Sequence, residues 1–201
     1  MFRHFDEATA EDWVPINEKF EEFQKGIAGQ MIAHLQLLAT HDLGYPVDRY
    51  VHSLQTATRA MRDGADDEMI VVALLHDIGD TLAPINHGPL AAAMLAPYIS
   101  KDNAWLIQHH EEFQGYFYAE YFGGDKHARE KYRDHPYFAT TAKFTDEWDQ
   151  KAFDPDYDTL PITAFLPALD TVFSREPWSA ACEATTKKSA ACEATTKASQ
   201  K

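Results

Sequence analysis

The sequence predicts an all-α protein. Three observations carry that expectation. Apolar residues recur every third and fourth position, no stretch alternates with period two for long enough to propose a sheet, and clusters of Gly, Pro and Asp separate the periodic runs. In the first run Trp13, Phe20, Phe23, Ile27, Met31, Leu35 and Leu38 share one face, predicting one long amphipathic helix weakened at Gly26 and Gly29. The stretch HDLGYPVD reads as a turn, and Asp48 at its end is placed to cap a helix from about Arg49 to Arg62. DGADDE breaks the chain again. Asp66 then caps a helix through Leu75 that is apolar on every side, which puts it at the centre of the protein. Further helices are expected over 87–98, 101–114, 136–153 and 162–173.

A chain of 201 residues with 45% hydrophobic content can bury a core of ordinary size. It divides into an N-terminal helical segment, 1–44, expected to pack on the core, a main helical domain, 45–178, and a tail, 179–201. The tail repeats SAACEATTK at 179–187 and 189–197, lacks apolar periodicity and is expected to be disordered. Both cysteines, Cys182 and Cys192, lie there, so cysteine nucleophiles, cysteine zinc sites and disulfide frameworks are excluded from the folded part. No run approaches the ~18 apolar residues of a membrane span. The start, MFRHFDEATAEDW, lacks the basic and apolar blocks of a signal peptide, so a cytoplasmic protein without a membrane partner is expected. The net charge is −14, or −16 without the tail, and no basic stripe offsets it. Nucleic-acid binding is therefore disfavoured. Oligomeric state is not readable.

Chemistry concentrates at ALLHDIGD, where His76 and Asp77 end an apolar run. Two unpaired polar groups at that position would cost several kcal/mol, and a metal ion removes the cost. Four other polar positions extend the pattern: His52 in RYVHSLQTA, His87 in INHGPLAAA, His110 in IQHHEEFQG and Asp149 in DEWDQKAFD. Neutral imidazoles and carboxylates suit iron, manganese or zinc. Four imidazoles and two carboxylates are too many for one catalytic ion that must keep an open position, and they suit two ions sharing Asp77. His4, His34, His41, His127 and His135 are read as surface or locally hydrogen-bonded groups.

VHSLQTA, 24 residues ahead of LLHDIGD, followed by NHG, HH and WDQ, resembles the HD-domain superfamily of metal-dependent helical proteins. The order H…HD…H…H…D is similar to its mixed-valent diiron oxygenase branch, which includes myo-inositol oxygenase and the hydroxyphosphonate-cleaving enzymes. The resemblance covers about residues 45–173. It implies a helical HD bundle around a dinuclear site, with His52, His76, Asp77 and Asp149 as the ligands common to HD proteins and His87 and His110 completing a second ion. It implies His110, directly before Glu111-Glu112-Phe113, as the ligand, leaving His109 as the alternative or a supporting group. It further implies an Fe(II)/Fe(III) pair, with manganese or another divalent metal as the alternative. The implied reaction uses O2 to cleave a C–C or C–P bond of a small polyol, amino alcohol or hydroxyphosphonate.

The chain departs from that branch in its pocket. Asp80 stands where relatives carry a lysine or histidine, Gln114 where the phosphonate enzymes have a lysine and Asp146 where they have an arginine, and Asp42 and Tyr45 replace an upstream Tyr and Glu. Groups that would hold a phosphonate are thus missing, and Asp80 points to a cationic or polyhydroxylated substrate, or else caps a helix or pairs with Arg59 or Lys143. Tyr45, Asp80, Asn86, His109, Gln114 and Tyr116 are the candidate pocket groups. FQGYFYAEYFGG, 113–124, reads as a pocket wall or lid, or as core packing. The rival enzyme is a metal-dependent HD phosphohydrolase acting on a phosphomonoester or nucleotide, with Lys101, Lys126, Lys143 or Arg129 as phosphate partners. A metal-stabilised binding module without turnover is the third reading.

Overall fold

The computed structural model describes residues 2–40 and 43–178. The repeat tail with its two cysteines, and the expectations attached to His41 and Asp42, lie outside the described residues. Among the described residues there are eight α-helices and no strand, so the fold is all-α. None of these helices is long and apolar enough to cross a membrane.

The helices are α1 (Ala10–Lys25), α2 (Ile27–Gln36), α3 (Arg49–Arg62), α4 (Asp67–Leu75), α5 (His87–Leu95), α6 (Lys101–Gln114), α7 (Phe138–Lys143) and α8 (Leu166–Phe173). The capping aspartates behave as expected: Asp48 accepts from Val51 N at 2.7 Å and Asp66 from Met69 N at 2.8 Å. Between them they set where α3 and α4 begin, and these helices pack against one another. On α4 every residue from Ile70 to Leu75 is buried, as its all-round apolar sequence requires. The buried polar residues of α3 close on their own helix. Ser53, Thr56 and Thr58 donate to the carbonyls of Arg49, His52 and Leu54, so they enter the core without unmet hydrogen bonds.

Four elements differ from expectation. The single N-terminal helix breaks at Gly26, which ends α1 and precedes α2. Met31, Leu35 and Leu38 are buried, but α1 buries none of its residues; Trp13 packs on Phe2 and Phe5 instead. The helix from His87 ends at Leu95, short of Tyr98. The expected helix over 136–153 is α7 followed by a π turn, Phe144–Asp149, closed by Gln150 N donating to Thr145 O at 3.1 Å. The last helix starts as a 3-10 turn, Ile162–Phe165.

Glu68 ties the start of α4 to the start of α6. It accepts from Ser100 N and Asn103 Nδ2, both at 2.7 Å, and pairs with Arg175 beyond α8. Burial acts to raise its carboxyl, but these donors overcome it and hold the group down to about 2. A lowered carboxyl stabilises the fold above its unfolded value and loses that contribution as pH falls through the folded one. Glu68→Gln is therefore expected to lower stability by about 1–3 kcal/mol at neutral pH. It should also flatten the acid-side loss between pH values of about 4.5 and about 2, as read by denaturant titrations across that range.

Candidate metal centre

Four imidazoles and two carboxylates converge where α3, α4, α5, α6 and the π turn meet. His52 lies on the buried face of α3, His76 and Asp77 follow α4 directly, His87 opens α5, His110 sits on α6 and Asp149 closes the π turn. All six are buried, and only His87, at 9%, retains more than 1% of its surface.

A backbone carbonyl orients each ring. Nδ1 of His52 donates to Ala152 O at 3.0 Å, that of His76 to Ala73 O at 2.9 Å and that of His110 to Ile107 O at 2.7 Å; Nδ1 of His87 faces Pro84 O at 3.3 Å. A carbonyl only accepts, so the hydrogen-bond network assigns the proton to Nδ1 and leaves Nε2 of the neutral ring presenting a lone pair inward. The Nε2 atoms meet in pairs, His52 with His76 at 3.2 Å and His87 with His110 at 3.3 Å. Asp77 stands between the pairs. Its Oδ2 is 3.2 Å from both His52 and His76, and its Oδ1 is 3.1 Å from His87 and 3.3 Å from His110. Asp149 Oδ1 adds to the first pair, at 3.2 Å from His52 and 3.5 Å from His76.

This donor set fits metal. His52, His76 and Asp149 form one group of ligand atoms within 4.8 Å of one another, and His76, Asp77 and His110 form another. Ligands about 2.0–2.2 Å from one ion are separated by edges of about 3.0–3.4 Å, close to the spacings found. Inward lone pairs at such distances repel unless positive charge lies between them. Both oxygens of Asp77 and Oδ2 of Asp149 are buried without a directed donor. Arg49 Nη2 does approach Asp77 Oδ2 at 2.6 Å, but off the line of a hydrogen bond, so the contact is electrostatic. The carboxylates create a strong demand for cationic charge. Burial opposes charge on His76, yet Asp77 and Asp149 override it and push the imidazole up to about 10. His87 is likewise pushed up to about 9 against its burial, chiefly by Asp77 and then Asp80 and Glu111. Burial would raise both aspartates, but Arg49 and His76 hold Asp77, and His52 and His76 hold Asp149, well below the usual carboxylate range.

Asp80 neither caps a helix nor pairs with Arg59 or Lys143. Its Oδ2 accepts from Arg49 Nε at 2.7 Å and its Oδ1 stands 3.1 Å from His87 Nδ1, behind the ring from Asp77. Arg59 lies over the Tyr157 ring and Lys143 pairs with Asp63. A carboxylate behind a metal-facing histidine fixes its tautomer and raises its basicity. Gln114 donates to Asp149 Oδ1 at 2.8 Å, and Asp146 accepts from Arg129 at the same distance.

A cavity of about 490 Å³ opens onto His87. Of the expected pocket groups, Tyr45, Asp80 and Gln114 line it, whereas Asn86, His109 and Tyr116 do not. Asn86 precedes α5 and its backbone N donates to Ala83 O. His109 is turned about 100° around α6 from His110; it packs at a tilt against Trp105 and faces Tyr132 Oη at 3.1 Å. The ring of Tyr116 is covered by the Arg129 guanidinium at 4.1 Å, because the helix gives way to 3-10 turns at Gly115 and Tyr118 takes the wall position instead. Leu43, Arg49, Pro84, Glu111, Gln150 and Phe153 are the wall residues outside the sequence expectation. Arg49 had a usable signal, three residues before His52 on the same helical face. The aromatic segment 113–124 does form part of the wall, through Gln114, Phe117, Tyr118 and Phe122.

No protein-family model matches this chain, and no curated protein matches it.

Gly79 and Gly88 let the backbones approach at the centre. A Cβ on Gly79 would stand 2.6 Å from the His87 carbonyl oxygen, and one on Gly88 2.9 Å from that of Ile107. Gly79→Ala must push α5 away from the turn bearing Asp77. It is expected to lower stability by about 1–3 kcal/mol and to weaken metal retention at His87 and His110 more than at His52 and His76. Thermal unfolding with metal analysis after dialysis checks both.

Proposed function

We propose that the chain is an HD-domain diiron oxygenase acting on a small hydroxylated substrate, with the six residues His52, His76, Asp77, His87, His110 and Asp149 as ligands of two ions. The observation that carries this reading is Asp77, whose two oxygens face two different imidazole pairs, as a carboxylate shared by two ions would. An Fe(II)/Fe(III) pair held there would supply O2 activation and the oxidative cleavage of a C–C or C–P bond; manganese or another divalent metal is the alternative occupant. The protein's residues orient and enclose. Backbone carbonyls and Asp80 fix the rings, Gln114 fixes Asp149, and Phe153, stacked on His52 at 4.3 Å, with Phe144, edge-on to His76, shields the centre from water.

The same ligands would serve a phosphohydrolase, but the cavity offers little to hold phosphate. Arg49 is the one Lys or Arg in its described wall, and it is engaged by Asp77 and Asp80. The expected phosphate partners point elsewhere: Lys101 lies over Trp178, Lys126 pairs with Glu120, Lys143 with Asp63 and Arg129 with Asp146. The partners in this reading are O2 and a small molecule, with no nucleic acid and no membrane, in the cytoplasm.

Iron-reconstituted protein, partly oxidised, is expected to show the EPR signal of an antiferromagnetically coupled Fe(II)/Fe(III) pair, perturbed by polyols, amino alcohols or hydroxyphosphonates. Redox-inert metal with turnover of phosphate esters would overturn the reading in favour of the hydrolase. Ligand variants test the sharing directly. Metal content of about two ions per chain should fall to about one in His87→Ala or His110→Ala and close to none in Asp77→Ala. Equal losses in all three variants would contradict a shared aspartate.

A further inference from the structure

The rim of the cavity is more apolar than a small polar substrate requires. Leu43 and Tyr45 stand just before α3, Phe117, Tyr118 and Phe122 follow α6, and all five line the cavity. Their exposures run from 38% at Phe117 to 84% at Phe122. Scattered apolar residues on a surface need no explanation, but a group of this size around one opening marks a binding surface. The exposed apolar surface thus continues inward to His87. The polar wall groups Asp80, Glu111 and Gln114 are joined to the ligands: Asp80 and Glu111 flank His87 Nδ1, and Gln114 bonds Asp149. The chamber is thus polar at its floor and apolar at its mouth. Its volume of about 490 Å³ falls among pockets that enclose ligands of drug size, with room beyond a polyol or an amino alcohol.

We infer that the substrate is an amphiphile, an alcohol whose polar head reaches the floor beside His87 while an alkyl chain lies along the apolar rim. The chemistry at the head rests on the oxygenase reading; the seating of the chain does not. A second copy of the protein is a poorer occupant, because seated on this rim it would close the mouth of the cavity that the rim continues.

A homologous series of 2-amino-1-alkanols, from short to long chain and kept below micelle-forming concentrations, tests the inference. Binding is measured by titration calorimetry on metal-reconstituted full-length protein. Affinity is expected to rise about two- to fourfold per added methylene until the rim is filled, then level off. Leu43→Ser with Phe122→Ser should flatten that rise, and both side chains are exposed, so unchanged metal content and melting serve as the folding control. Affinity independent of chain length would overturn the inference. So would a concentration-dependent dimer in sedimentation that the double variant abolishes, because the rim would then be a self-interface. The two readings fail separately. Chain-length dependence without O2 consumption removes the oxygenase and keeps the amphiphile, whereas O2 consumption insensitive to chain length does the reverse.

Discussion

Positive charge at the centre is the condition on which this structure depends. Four imidazole lone pairs and two carboxylates face one another at 3.1–3.5 Å in an interior that water hardly reaches. In a medium of low effective dielectric, uncompensated buried charge costs several kcal/mol per group. Arg49 alone cannot meet that demand, since its guanidinium also serves Asp80. Cations, or protons in their place, must therefore hold α3, α4, α5, α6 and the π turn together at the point where they meet.

The fold around this point trades flexibility for orientation. Each of the four imidazoles is backed by a carbonyl, so its direction is set by main chain already fixed in helices or tight turns. The π turn does two jobs at once: it ends on Asp149 and delivers the chain to Ala152, whose carbonyl orients His52. Such turns are rare and recur at functional sites because they sacrifice regular helical bonding. Gly79 and Gly88 allow the backbone contacts that bring His87 and His110 to the far side of Asp77. The layout separates ligand orientation, carried by main chain, from cavity shape, carried by aromatic side chains.

What was legible in the sequence is what local physics determines. Asp48 and Asp66 cap their helices because an N-cap acts over three residues, and the all-apolar run of α4 can only be buried. His76 and Asp77 at its end were legible for the same reason, since their polarity conflicts with their surroundings. The lost features depend on distant or irregular contacts. Asp80 was assigned wrong partners because Arg49 is 31 residues away, on another helix. Helical phase predicts which side Tyr116 faces only while the helix lasts, and α6 stops at Gln114. The break at Gly26 was visible as a weakness. That α1 then buries nothing was not, because amphipathic spacing records an apolar face without recording what covers it.

Protons and a bound metal would compete for the same lone pairs, and this would link stability to pH in opposite ways for the two occupants. His76, pushed up to about 10, binds its proton more tightly folded than unfolded. The stability it contributes to the metal-free fold is fully present below its unfolded value of about 6.5 and is lost as pH rises through the folded one. A cation held there would have to displace those protons, so its hold would strengthen as pH rises. The metal-free centre is therefore firmest where metal would bind worst, and metal would bind best where the protonated centre has begun to fail. With metal at hand, one arrangement of imidazoles around Asp77 would stay closed across a wide pH range because the occupant that balances its charge would change.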